Sequence, residues 1–149
     1  MIARRLFVRT SAALTLLGLL PAAIAEGADR VTVYKNPACG CCGGWVKHLQ
    51  ANGFRVEVNE LDDVAPTRHR LGVPDALASC HTAVVAGYAI EGHVPAQDIL
   101  LLLKQRPKIT GLALPGMVPG SPGMEQGAPQ RFATLAFDGS GSTTVFAQH

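Results

Sequence analysis

The run Val31-Thr32-Val33-Tyr34-Lys35-Asn36-Pro37-Ala38-Cys39-Gly40-Cys41-Cys42-Gly43-Gly44-Trp45-Val46 decides the fold. Its first residues alternate with β-branched side chains, which predicts a strand, and Asn36-Pro37 cuts that strand off. Beyond the cysteines, Trp45, Val46 and Leu49 share one face at helical spacing, and Asn52-Gly53 predicts the helix stop, with glycine taking the left-handed position. A strand, a tight cysteine-bearing turn and a helix follow one another directly.

The pattern continues outward from that unit. Phe54-Arg55-Val56-Glu57-Val58 alternates as a second strand. Asp62 or Asp63 can cap a short helix with Pro66 in its first turn, ended near Leu71 by Gly72. Residues 82–86 and 88–91 flank Gly87 as a hairpin. Pro95 opens a helix through Ile99 and Leu100 to Leu103, closing at Lys104, Arg106 and Pro107 with cations at its negative end. Over residues 30–106 the order is β-α-β-α-β-β-α, that of the thioredoxin fold: an α/β domain with a small mixed sheet between helices. Residues 107–129 hold five of the ten prolines and five of the 16 glycines, and with Met117 and Met124 they read as a long Gly/Pro/Met-rich loop with no core element. Residues 132–137 and 143–146 flank Asp138-Gly139 as a C-terminal β-hairpin.

Composition narrows the class. At 149 residues, 48% hydrophobic and 16% charged, the chain suits one globular domain and excludes acidic disordered, collagen-like and coiled-coil proteins. Residues 1–25 read as a signal peptide: Arg4, Arg5 and Arg9, then an apolar run over 12–20, then Ala23-Ile24-Ala25 before cleavage at Glu26. Arg4-Arg5-Leu6-Phe7-Val8 also suits a twin-arginine signal. The expected mature domain, residues 26–149, keeps ten of the 13 cationic residues and all 11 acidic ones, a formal charge of −1. With no basic patch, nucleic-acid binding is excluded. The body of the chain has no apolar run of 18 residues, so no membrane insertion is expected after signal cleavage.

The chemistry concentrates at Cys39-Gly40-Cys41-Cys42, between the first strand and the first helix. A helix N-terminus favours thiolate, the form that binds metal, and Gly40, Gly43 and Gly44 let the backbone fold tightly around the sulfurs. Three soft anions on one turn can hold or bridge soft ions such as Cu(I). Cys39 and Cys42 alone have the C-x-x-C spacing of a redox dithiol, with Cys41 wedged between them. A structural disulfide plus spare cysteines is the plainer reading. Cys80-His81 precedes the third strand, and in a thioredoxin-like frame that loop faces the active-site turn; taken alone, the pair reads as a buried free cysteine and a surface histidine. His93 lies just before Pro95, where a lone histidine more often caps a strand end. His48 reads as structural, and His69 and His149 as surface residues. Met117 and Met124 either pin their loop or offer thioether donors suited to Cu(I).

Together, Tyr34-Lys35-Asn36-Pro37-x-Cys39-Gly40-Cys41-Cys42, Cys80-His81-Thr82, Glu91-Gly92-His93-Val94-Pro95 and residues 111–125 resemble the bacterial metal-binding family that includes the CopG copper-resistance proteins of the periplasm. The resemblance spans about residues 31–126. It implies a thioredoxin-like fold and export-compartment copper handling through a cysteine-bridged copper cluster. On matching positions Cys39, Cys41 and Cys42 would be core ligands, with Cys80 and further candidates His81, His93, Met117 and Met124. The strand and Asn36-Pro37-x-Cys39 are also similar to thioredoxin-fold arsenate reductases, which have a single nucleophilic cysteine and no thiol triplet.

The expected function is therefore an exported copper-binding protein for copper resistance and homeostasis. Its partners are copper ions and other periplasmic copper-handling proteins, and the cluster admits Cu(I)/Cu(II) redox. The alternatives are a periplasmic thiol–disulfide oxidoreductase using Cys39 and Cys42, and a structural zinc site, since three cysteines and a histidine are a zinc set.

Overall fold

The structure, a computed structural model, describes residues 30–149; the expected signal segment 1–25 lies outside the described residues. The chain runs β1 (Arg30–Lys35), α1 (Gly40–Ala51), β2 (Arg55–Glu60), α2 (Ala65–Arg70), a 3₁₀ turn (Asp75–Leu77), β3 (His81–Val85), β4 (Tyr88–Gly92), α3 (Ala96–Gln105), β5 (Gly111–Leu114), β6 (Ala133–Phe137) and β7 (Thr143–Gln148). The strands form one mixed seven-stranded sheet in the order β2-β1-β3-β4-β5-β6-β7. β1 pairs in parallel with β2 and antiparallel with β3, which pairs antiparallel with β4. The sequence expectation of a mixed α/β sheet, a βαβ unit followed by a hairpin, is met. Ala86 and Gly87 both take positive φ, 47° and 87°, as a two-residue hairpin turn that follows the strand twist requires.

One expectation is corrected. Residues 107–129 are not loop throughout: Gly111–Leu114 is a fully buried strand, parallel to β4 and antiparallel to β6. Four residues are too few to show a period, and the surrounding prolines and glycines mask them in any compositional average. Gly111 is required there, since a Cβ would fall 1.9 Å from the carbonyl oxygen of Ala89 on the neighbouring strand. The sheet thus continues from β4 through β5 into the expected C-terminal hairpin.

Successive strand residues point to opposite faces, and each face has its own core. On one face Val31, Val33, Ile90, Leu112 and Leu114 pack with Trp45 and Leu49 of α1 and Ile99 and Leu102 of α3. On the other, Ala89, Ala113 and Phe137 meet Val73 and Leu77 from the segment after α2. Trp45 is fully buried and its indole N–H donates to the carbonyl of Val94 at 2.8 Å. The expected structural role of His48 is borne out: its Nε2 accepts the backbone N–H of Ala96 at 3.0 Å, tying α1 to the start of α3.

His149 is no idle surface residue. Its Nε2 lies 2.9 Å from Asp98 Oδ2, which also accepts the hydroxyl of Thr134 at 2.6 Å, and its ring stacks on Phe132 with centroids 4.8 Å apart. A terminal residue gives no periodic signal, so only the fold shows this clasp of β6 and the chain end onto α3. No helix among the described residues is long and apolar enough to cross a membrane.

Candidate metal centre

The site forms where β1 ends and α1 begins. Cys39 is the N-cap of α1 and Cys41 and Cys42 lie in its first turn. This puts all three sulfurs at the end of the helix whose free N–H groups favour anions. Cys39 and Cys42 are joined as a disulfide, with Cα atoms 5.4 Å apart, while Cys41 and Cys80 are free. A disulfide sulfur is not a thiolate, so the expected thiol triplet has one free member in this oxidised form, and two electrons and two protons would restore the other two thiols.

The register brings the second segment in. Lys35 pairs with His81 across β1 and β3, which sets Cys80 beside the turn. Cys41 Sγ lies 3.5 Å from Cys39 Sγ and 3.9 Å from Cys80 Sγ, and Cys42 Sγ lies 3.7 Å from the carbonyl oxygen of Cys80. The ligand atoms of Cys39, Cys41, Cys42 and Cys80 all fall within 4.8 Å of one another, and those of Cys80, His81 and His93 form a second such group. Cys80 belongs to both.

The two histidines are held differently. His93 is buried; its Nδ1 donates to the carbonyl of Pro122 at 2.7 Å, so the neutral ring presents a bare Nε2 to Cys80 Sγ at 3.1 Å. Burial, the largest cause, holds its pKa below the ordinary value. His81 is not the surface residue of the plainer reading. It is fully buried, its ring 4.4 Å from that of Trp45 and 5.0 Å from that of His93. Its Nδ1 lies 3.4 Å from Cys80 Sγ, and its Nε2 has no hydrogen-bond partner among the described residues. Burial above all, then His93 and more weakly Lys35, pushes its pKa down to about 3. Burial, and after it Cys41, pushes the Cys80 thiol up to about 12.

The Gly/Pro/Met segment between β5 and β6 lies over this group as a strap. Gly123, at φ 86°, packs so closely on α1 that a Cβ would fall 2.6 Å from the carbonyl oxygen of Cys41 and 2.7 Å from the nitrogen of Trp45. Glu125 secures the turn, its carboxylate accepting the N–H of Gly123 at 2.6 Å. A cleft of about 560 Å³ remains open beside Cys41, lined also by Gly40, Gly44, Met117, Met124 and Glu125. Both methionines therefore border the sulfur group, Met117 being 55% exposed.

Two solved structures of copper resistance protein CopG, Form 1 and Form 2, are similar to this chain. Each is 44% identical with a TM-score of 0.76 and covers 80% of this chain; the chain in turn covers 96% of Form 1 and 97% of Form 2. The chain belongs to the CopG copper resistance protein family. A family described as "Protein of unknown function, DUF411" also matches, over residues 77–124, from the approach to Cys80 to Met124. A comparison with curated proteins gives no match. The CopG-like resemblance read from the sequence is thus borne out. Sequence reasoning missed the residues that hold the donors in place: Pro122 as the acceptor for His93, Gly123 against Gly44, and the Arg68–Glu91–Ser79 group described below. Single residues so far apart in sequence carry no motif.

Proposed function

We propose that this chain takes up copper as its cargo, in the Cu(I) state, at Cys39, Cys41, Cys42 and Cys80, and so serves copper resistance in an export compartment. The observation that carries the reading is the convergence of four sulfurs from two separate segments within 4.8 Å. Soft sulfur donors select Cu(I). A buried imidazole nitrogen without a partner in His81 and a bare Nε2 in His93 suit the edge of such a centre, and the thioethers of Met117 and Met124 line the way in. The CopG relatives are copper resistance proteins, which supports copper over zinc. Residues 1–25 have the pattern of an export signal, which supports a periplasmic location for a single domain over residues 26–149.

A second reading has its own observation. The Cys39–Cys42 disulfide is the oxidised half of a thiol–disulfide oxidoreductase, or of a protein that couples thiol redox to Cu(I)/Cu(II) interconversion.

Metal analysis of anaerobically purified, copper-loaded protein, with thiols titrated on the same sample, separates the two. Copper retained through dialysis, thiols protected from alkylation, and copper lost in Cys41→Ser support the copper centre. Metal-free protein that reduces insulin as well with Cys41→Ser as without it supports the oxidoreductase instead.

A further inference from the structure

The sheet face opposite α1 holds a buried ion pair that the centre itself does not use. Glu91 of β4 is fully buried and points away from the cysteines, on the same face as Ala89. Arg68 of α2 reaches across that face: its Nε donates to Glu91 Oε1 at 2.9 Å, with the arginine side chain only 12% exposed. Both side chains close on one residue, Ser79. Glu91 Oε1 also accepts the N–H of Ser79 at 2.6 Å, while an Nη of Arg68 donates to the carbonyl of Ser79 at 2.6 Å. Glu91 Oε2 accepts the hydroxyl of Thr82 at 2.6 Å. The residues on either side of Cys80-His81 are therefore both fixed to one carboxylate.

Ser79 is held from a third direction. Its hydroxyl donates to the carbonyl of Gly116 at 2.8 Å, next to Met117 at the start of the strap. Gly92, at φ 72°, lets β4 pass close enough that a Cβ would sit 2.7 Å from Ser79 Oγ. Cys80 lies on the loop before β3, with no helix of its own to orient it, and the N–H and C=O of the residue before it are taken by Glu91 and Arg68 respectively. The arrangement needs the arginine fork: one planar guanidinium spans a carboxylate and a carbonyl, which a single ammonium cannot do in the same geometry.

We infer that Arg68 and Glu91 are positioning residues for Cys80, gripping Ser79 from behind the sheet, and that the Ser79 hydroxyl extends the same hold to the Met117 end of the strap. The inference goes beyond the copper reading, and its main test needs no metal.

In reduced, metal-free, full-length protein, alkylation by iodoacetamide is followed site by site by mass spectrometry, and the rate at Cys80 is divided by that at Cys41. Melting temperature is measured on the same samples. Arg68→Lys raises the ratio at least fivefold. Glu91→Gln, whose carbonyl oxygen can still accept from Arg68 and Ser79, lowers the melting temperature but holds the ratio within twofold. A ratio within twofold of wild type in folded Arg68→Lys, or one that merely tracks melting temperature across the variants, overturns the inference.

Should Arg68→Lys not fold, Arg68→Gln, which also lacks the fork, takes its place under the same criterion, and Ser79→Ala, which removes only the hydroxyl, tests the coupling to the strap. Amide exchange over residues 116–124 then rises at least fivefold, and unchanged exchange overturns the coupling to the strap. Cu(I) affinity by competition with bicinchoninate is the separate arm: Arg68→Lys weakens it 10–100-fold, the usual effect of losing a group that orients a ligand. Wild-type protein that binds no copper defeats the proposed function and leaves the alkylation result standing by itself.

Discussion

Cys80 carries a proton that any metal must displace. Its thiol is half-buried between Cys41 and His93, and burial pushes its pKa up to about 12. The thiol form persists below that value, and only the thiolate is alkylated, so alkylation of Cys80 in the reduced apoprotein is slow near neutrality and keeps rising about tenfold per pH unit through pH 9, with no plateau. Site-resolved mass spectrometry checks this, and a rate that levels off below pH 9 would contradict it. Metal loading releases that proton. The cysteines were legible because their residue type and local spacing announce chemistry, and His93 only through the family resemblance. The burial of His81 was not, because it depends on Trp45 and His93, brought to it by two other elements.

At the scale of elements, the strap is the part the sequence read least well. Its glycines and prolines promised irregular backbone, and most of it is that, but β5 hides at its start and Gly123 fits against α1 where no side chain has room. Gly123→Ala combines a left-handed φ with contacts below 3 Å, and destabilises the protein by about 1–3 kcal/mol. Thermal melting measures the loss, and faster alkylation of Cys41 in the same variant reports the lifted strap. The β6–β7 turn offers a cleaner electrostatic test. Asp138 Oδ1 accepts the hydroxyl and N–H of Ser140 and the N–H of Ser142, and these bonds, the Ser140 hydroxyl foremost, lower its pKa below the ordinary 3.8. A depressed carboxylate supports the turn above its unfolded value and ceases to as pH falls through the folded one. Carboxyl-carbon NMR shifts of Asp138 therefore titrate with a midpoint under 3.8.

For the whole molecule, the order of elements was readable from β1 to α3 because each carries its own period and stop signal. What joins the halves was not. Trp45 lies under His81 and donates to Val94, so Trp45→Phe leaves a buried carbonyl unpaired at a cost of about 1–3 kcal/mol. His149→Ala removes the clasp to Asp98, which keeps the Thr134 hydroxyl, and costs less, about 0.5–1.5 kcal/mol; chemical denaturation measures both. The adjacency of β5 and β6 has a consequence of another kind. The segment between them leaves the sheet and returns to the neighbouring strand, so it is in effect one oversized hairpin tip whose ends are fixed whatever it contains. Outside Gly116, Pro122 and Gly123, which touch Ser79, His93 and α1, its length and residues can be rewritten as a cassette without disturbing the sheet or α1. Under the proposed function, the entrance to the sulfur group and the sulfur group itself thus become separately adjustable parts of a single scaffold.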